Sequence, residues 1–524
     1  MIYDIRAIQH LYGANFNYNA NDTVYTFSNT TGEMFINGVG QGRPGANRVF
    51  RTIWDGNGVD TYNFSNYTTN LTINLTPGEW SELDSGGNSQ RANLDISGNH
   101  YARGHVFNAL QYSGDLRSLI ENAVGGSGND VISGNSVGNI LNGRGGNDRI
   151  YNVTSNSAIR GHDITLGDIG DDTIVDMDSI DGDFHDGGLG TDWIVYSNYD
   201  FGDTLPVINL TTSKFTLGSA FETINNFENV IGTRGSETII GSSVANILQG
   251  DSGFDILQGN DGNDTLSGNA GADVLNGGTG SDVMDGGSDN DIYTVDNAGD
   301  IVTEAASSDI DTIISHLANY TLIANVENLT LSGTQPVTAL NGIGNTLNND
   351  IQGNEANNVL SGLDGNDFLY GKAGQDTLNG GTNNDLLQGD SGSDALNGGT
   401  GDDELHGGAG VDTLTGGAGK DRFDFNNPLD GIDTITDFVV IDDVIYVEKV
   451  GFVGGLVKGF LSADQFRIGA SAQDASDRFI YNQTTGALSF DSDGNGGAAQ
   501  TQFAKLSTNL AMTNQDIFVT SIGI

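Results

Sequence analysis

A nine-residue repeat runs without insertion from Gly344 to Asp424, and it constrains the architecture before any local propensity is weighed. Its nine units are GNTLNNDIQ, GNEANNVLS, GLDGNDFLY, GKAGQDTLN, GGTNNDLLQ, GDSGSDALN, GGTGDDELH, GGAGVDTLT and GGAGKDRFD. Position 1 is always Gly, position 6 is Asp in the last seven units, and position 8 is apolar from Ile351 to Phe423. Glycine at positions 1, 2 and 4 lets a six-residue stretch turn tightly with its carbonyls facing inward. Positions 7 to 9 then alternate outward, inward, outward, which predicts a very short strand with one buried side chain. One unit cannot bury its single Leu. Stacked units form a continuous apolar ladder and bring each Asp against the carbonyls of its neighbours. An oxygen-lined cup of this kind suits a hard cation, Ca²⁺ above all. A flexible Gly-rich linker would need neither the fixed Asp nor the fixed aliphatic residue.

The same unit recurs earlier. Clear copies start at Gly125, Gly143, Gly167 and Gly187, and seven more run from Gly232 to Thr294, with Glu237 and Asn246 in the two weaker ones. Repetition explains the 78 Gly residues, and with only 5 Pro the chain is neither collagen-like nor Pro-rich. A formal charge of −49 argues against nucleic acid and anionic membranes as partners and favours cations. No cysteine is present, so disulfides and thiolate metal sites are excluded. No apolar run approaches the length of a membrane span, and the start lacks a basic region followed by an apolar one, so Sec-type export is unsupported.

These units resemble the Ca²⁺-binding nonapeptide of RTX (haemolysin-type) proteins, in which two nonapeptides make one turn of a parallel β-roll with Ca²⁺ between turns. The resemblance implies carboxylate ligands at Asp130, Asp148, Asp172, Asp192, Asp255, Asp264, Asp273, Asp282 and Asp291. In the unbroken block it implies Asp367, Asp376, Asp385, Asp394, Asp403, Asp412 and Asp421. Backbone carbonyls would come from the glycine-rich turns at Gly125, Gly128, Gly259, Gly262, Gly268, Gly271, Gly277 and Gly280. The later turns would add Gly362, Gly365, Gly371, Gly374, Gly389, Gly392, Gly398, Gly401, Gly407, Gly410, Gly416 and Gly419.

The run MIYDIRAIQHLYGAN, then DTVYTF, WDGNGVDTYNFSNY and LIENAVGGSGNDVISG, is similar to the junction in serralysin-type (M10) metallopeptidases where the catalytic domain gives way to the C-terminal β-domain. Asp4 to Gly13 reads as a short helix with Asp4 as N-cap, an apolar face of Ile5, Ile8, Leu11 and Tyr12, and Gly13 as stop. The expected fold is all-β: calcium-loaded parallel β-roll blocks, β-sandwich-like flanking regions and a short N-terminal helix. The expected order is a lead-in at 1–124 (the end of a serralysin catalytic domain plus β-rich chain), roll blocks at 125–195, 232–294 and 344–424, β-rich spacers at 196–231 and 295–343, and a C-terminal cap at 425–524.

No Zn²⁺ site is supported in this chain: none of the seven histidines is followed by Glu and no two stand four apart. His100 and His105 read as loop histidines, DMDSIDGDFHDGG at 176–188 is acidic enough to hold an additional ion but reads first as a solvated loop, and DSDGNGG at 491–497 reads as an acidic turn without the Glu of an EF-hand. Asp516 to Val519 resembles the uncleaved type I secretion signal of RTX proteins. The implied protein is secreted and extracellular, takes up several Ca²⁺ ions, is passed by a type I exporter, inserts in no membrane and has no catalytic site as it stands. The alternatives are a metallopeptidase whose catalytic domain lies outside this chain and an adhesin or surface-layer component.

Overall fold

The computed structural model describes residues 2–85, 87, 90–94, 100–153, 161–177, 180, 182–197, 199, 205–333, 338 and 340–521. They belong to two compact units, Met1–Gly286 and Gly287–Ile524. The one α-helix among the described residues, Ile2–Tyr12, ends where expected: Gly13 takes φ +78° and its N–H donates to the Gln9 carbonyl. Asp4 lies inside the first turn, where its charge favours the helix dipole, and is not the N-cap. The predicted apolar face does not pack inward; Ile8, Leu11 and Tyr12 are exposed and Gln9 is the buried residue.

In the first unit two parallel ladders carry the chain. One joins Val24–Phe27, Thr61–Asn63, Asn122–Val124, Ile140–Gly145, Ile164–Ile169, Phe184–Leu189 and Ala220–Asn225. The other joins Thr72–Asn74, Val131–Ser133, Arg149–Asn152, Thr173–Asp176, Trp193–Val195, Asn229–Ile231, Ile247–Ser252 and Thr265–Ala270. The lead-in is therefore built into the roll's own ladders, and its antiparallel pairs, such as Val24–Phe27 with Met34–Ile36, are attached to them. The spacer at 196–231 likewise supplies rungs. An antiparallel excursion, Lys214–Leu217, pairs with Val207–Asn209 on one side and Ala220–Asn225 on the other.

The second unit repeats the plan. Ile292–Val295, Thr312–Ser315, Asn328–Leu331, Asp350–Gln352, Phe368–Tyr370, Leu386–Gln388, Glu404–His406 and Arg422–Phe425 form one parallel ladder. Asn319–Thr321, Asn341–Ile343, Val359–Asp364, Thr377–Thr382, Ala395–Thr400 and Thr413–Ala418 form the other. Alternate nonapeptides go to opposite ladders, so register partners such as Leu360 and Leu378 stand two units apart. Every second strand runs six residues, reaching through positions 1 to 3 of the next unit, longer than the three expected. The C-terminal region continues both ladders through Val444–Glu448 and Ile517–Thr520 and through Asp433–Ile435 and Thr501–Lys505. An aromatic cluster of Phe425, Phe452, Phe479, Phe490 and Phe503 fills this end.

The core is the predicted position-8 column. Ile351, Leu360, Leu369, Leu378, Leu387, Leu396, Leu405, Leu414 and Phe423 are all buried. Their close packing makes truncation costly, whereas Val411, at position 5 of its unit, is 60% exposed. Leu378→Ala is expected to destabilise the Ca²⁺-saturated protein by about 2–5 kcal/mol. Val411→Ala is expected to stay within about 0.5 kcal/mol. Denaturant unfolding of both variants checks this, and equal effects would contradict the inward assignment.

Candidate metal centres

The position-6 carboxylates form a second column, running beside the apolar one. In each, Oδ1 accepts the backbone N–H of the position-6 residue one turn earlier. Asp376 donates to Asp394 and Asp394 to Asp412, both at 2.8 Å, and Asp367 donates to Asp385 and Asp385 to Asp403, both at 2.9 Å. The first unit does the same from Asp130 to Asp148, Asp148 to Asp172 and Asp172 to Asp192, each at 2.7 Å, and from Asp255 to Asp273 and Asp264 to Asp282. One oxygen of each carboxylate is thus spent on holding turns together.

The other oxygen is not. Oδ2 of Asp148, Asp172, Asp192, Asp255, Asp264, Asp367, Asp376, Asp385, Asp394, Asp403 and Asp412 is buried without a hydrogen-bond partner. In Asp172, Asp255, Asp264, Asp367, Asp376, Asp385 and Asp394 it lies against a glycine of its own turn, beside a carbonyl of the next turn. A Cβ added at Gly371 would lie 2.5 Å from Asp376 Oδ2 and 3.0 Å from the Gly389 carbonyl oxygen. At Gly380 the same atoms are Asp385 Oδ2 at 2.3 Å and the Gly398 oxygen at 2.7 Å. A buried anionic oxygen without a donor is costly, and a second such oxygen two units away repeats the cost. Carboxylate and carbonyl oxygens converging without competing N–H donors are the donor set of a hard divalent cation.

Units that depart from the glycine pattern solve the problem within the protein. Where position 6 is Asn, its Oδ1 accepts the position-2 N–H of its own turn: Asn345 to Asn349 at 2.8 Å, Asn354 to Asn358 at 2.7 Å and Ser242 to Asn246 at 2.6 Å. The amide NH₂ then donates to a carbonyl of the preceding turn, as Asn358 does to Leu340 and Asn246 to Glu228. Glu237 is closed by the Thr233 N–H, and Asp130, among the predicted ligands, by the Gly126 N–H at 2.7 Å. Asp130 is therefore a different kind of site from Asp376.

Sequence reasoning missed carboxylates that hold turns together outside the recognised units. Asp60 accepts from Thr23, Glu121 from Asp60, Asp183 from Asp163 and Glu228 from Asp192. Asp311 accepts from Asp291, Glu327 from Asp311, Asp433 from Asp412 and Asp443 from Asp421. The usable signal was an acidic residue immediately before a short β-branched strand, as in DTII at 311–314 and DTI at 433–435.

Two other expectations change. His105 is a buried core histidine, not a loop one: its Nδ1 accepts the Leu83 N–H, and burial first, then Arg91, lowers it to about 4. The stretch at 176–188 is not a solvated loop at its ends, because Asp176, Asp183 and His185 are all buried inside the roll. Within it, residues 178, 179 and 181 lie outside the described residues. In the turn at 491–497, Asp493 Oδ2 accepts the Gly497 and Ala498 N–H groups, so the turn closes on itself.

Burial is the largest influence on the column; the donated N–H opposes it and a neighbouring carboxylate adds to it, placing Asp376 and Asp385 at about 7 and Asp148 at about 8. Unfolded Asp titrates near about 3.9, so between these values the folded state holds more protons. Without metal, stability should be greatest below about pH 4 and be lost as pH rises through about 7. Thermal melts in a chelator should give a higher Tm at pH 5 than at pH 8, and saturating Ca²⁺ should remove or reverse the trend. A metal-free Tm that rises with pH would contradict the buried-carboxylate account.

The comparisons with known proteins agree with this geometry. The RTX calcium-binding nonapeptide repeat (4 copies) matches residues 231–266, 240–275, 258–293, 343–378, 370–405 and 397–427. The peptidase M10 serralysin C-terminal model matches residues 14–200. Metallopeptidase AprA of Pseudomonas marginalis is 37% identical over 141 residues, 27% of this chain and 24% of that protein. Serralysin of Photorhabdus laumondii is likewise 37% identical over 141 residues, and serralysin C of Dickeya chrysanthemi 38% over 132, 22% of its length. The match thus spans about a quarter of each of these relatives. The extracellular lipase LipA of Serratia marcescens aligns over 55% of this chain and 40% of its own at 17% identity and a TM-score of 0.18, too distant to add to the assignment. With its carboxylate column, its two-unit turns and these matches, the chain carries RTX calcium-binding nonapeptide repeats and a region similar to the C-terminal domain of serralysin-type metallopeptidases.

Proposed function

We propose that this chain is a secreted module that folds when Ca²⁺ enters its turns outside the cell, and that it corresponds to the non-catalytic C-terminal part of a serralysin-like peptidase. The observation that carries this reading is the row of buried, unpartnered Oδ2 atoms, from Asp367 to Asp412 in the second unit and Asp148 to Asp264 in the first. Each would share a cation with carbonyls of the glycine-rich turns. Uncompensated, so many carboxylates in one column repel one another, and the short strands alone bury too little to overcome it. Low Ca²⁺ inside a cell would keep the roll open for a type I exporter, and higher Ca²⁺ outside would drive folding by mass action.

The test is far-UV circular dichroism. Above neutral pH the chelated protein should show a weakened β-spectrum and a lowered Tm, both restored on adding Ca²⁺; identical spectra and melting temperatures would overturn the reading. Within the array, Asp376→Ala should raise the Ca²⁺ midpoint severalfold. Asp364→Ala should not, since Asp364 is exposed and only accepts from Thr382 Oγ1. Equal midpoints would deny position 6 its role.

Export would be directed by the C-terminal segment. Asp516 closes a capping box with Thr513, and Ile517 and Val519 are buried rungs beside Val444–Glu448. Such a segment is accessible to an exporter only before folding. Removing the last dozen residues should retain the protein inside a host equipped with a type I exporter, and unchanged secretion would contradict the assignment.

A second reading, a peptidase whose catalytic domain is encoded beyond this chain, is favoured by the match at residues 14–200. This sequence contains no H-E-x-x-H, so the chain alone should digest no casein with added Zn²⁺. Chelator-sensitive digestion by pure protein would overturn that expectation.

A further inference from the structure

The inward column of the first unit is broken at one place. Along Asn122–Val124, Ile140–Gly145, Ile164–Ile169 and Phe184–Leu189 the register partners facing the core run Ala123, Leu141, Thr165, His185. Polar side chains replace the aliphatic ones at the last two rungs, where burial without compensation is costly. Beside His185 lie Asp176, at the end of the facing strand Thr173–Asp176, and Glu222, on Ala220–Asn225. One ligand atom from each of the three lies within 4.8 Å of the other two, and all three residues are fully buried.

We propose that Asp176, His185 and Glu222 bind one divalent d-block cation of the zinc class, separate from the calcium turns. The first support is the imidazole. His185 Nδ1 is 2.7 Å from Thr165 Oγ1, which fixes the ring, while Nε2 is buried with no hydrogen-bond partner and points into the cluster. Asp176 Oδ2 is 3.7 Å from that Nε2, too long for a hydrogen bond. Two metal bonds of about 2.0–2.2 Å reach across such a gap at an open angle.

The second support is charge. Two carboxylates face one imidazole, so even a protonated ring leaves a net negative charge in the interior. The third is the shell around the ligands. Asp176 Oδ1 accepts from Asn152 Nδ2 at 3.3 Å and from Tyr199 OH at 3.1 Å, orienting the carboxylate as second partners orient metal ligands. One nitrogen with carboxylate oxygens selects a d-block ion over Ca²⁺, which takes oxygen alone. The sequence hid the set because its members stand nine and thirty-seven residues apart, at no motif spacing. The ion would tie the two ladders together where the nonapeptides are interrupted.

The experiment uses the full untagged chain in saturating Ca²⁺, titrated with Co²⁺ as a spectroscopic stand-in for Zn²⁺. One equivalent should give a visible d–d band that Zn²⁺ displaces. His185→Gln should abolish the band, with at least a tenfold loss of Co²⁺ affinity, while His100→Gln/His162→Gln, both exposed, should keep it. No band in the wild type, or a band surviving His185→Gln, would overturn the proposal. Should His185→Gln fail to fold, zinc-edge absorption of the wild type decides: one imidazole with oxygen neighbours supports the site, and an all-oxygen or several-imidazole shell rejects it.

Discussion

The fold depends on a single carboxylate doing two things at once. Oδ1 of each position-6 Asp takes the N–H of the turn before it, as Asp394 does from Asp376, and so sets the stacking distance between turns. That hydrogen bond pulls the whole group out of water and leaves Oδ2 inside with no donor. The glycine at position 1 has to be glycine for the same reason: a Cβ at Gly362 would stand 2.1 Å from Asp367 Oδ2, in the space the donor set encloses. Stacking and cation demand are therefore one property. A charged N–H acceptor bond of this kind contributes about 1.5–3 kcal/mol when the charge is balanced, and the unbalanced charge opposes folding when it is not.

Beside this column runs the apolar one, and the two have opposite thermodynamic characters. Leu360, Leu378, Leu396 and Leu414 favour the stacked state at any metal concentration. Asp367, Asp376, Asp385 and Asp394 oppose it until a cation or a proton arrives. Units at the edges of blocks avoid the conflict with an amide: Asn349 and Asn358 supply both the acceptor and the donor that their turns require. The opening units at Asn349 and Asn358 therefore satisfy their position-6 side chains within the protein.

Much of this was legible in the sequence because one period imposes both columns. Position 8 gave the core from Ile351 to Phe423, and position 6 gave the carboxylates from Asp367 to Asp421, as two independent regularities that had to coincide on one geometry. What could not be read was the continuation of the ladders through the lead-in, the spacers and the cap. There the turn length varies, from Asp163 to Asp183 and from Asp421 to Asp443, and glycines are missing, so the period disappears while the hydrogen bond persists. The ladder needs only an acidic residue ahead of a short strand; it does not need nine residues. His185 was unreadable for a related reason, since it entered the core by register with Thr165 and not by any spacing along the chain. The helix face was misread because amphipathic spacing says which residues share a side, not whether anything covers them.

The central claim is that cations sit where Oδ2 is unpartnered and not where an amide or an N–H already closes the turn. A crystal structure of the full chain grown in Ca²⁺, with anomalous difference density, measures this directly. The account predicts peaks between turns beside Asp367, Asp376, Asp385, Asp394 and Asp403, and none beside Asn246, Asn349 and Asn358. Peaks distributed without regard to that division, or none along the carboxylate column, would contradict it.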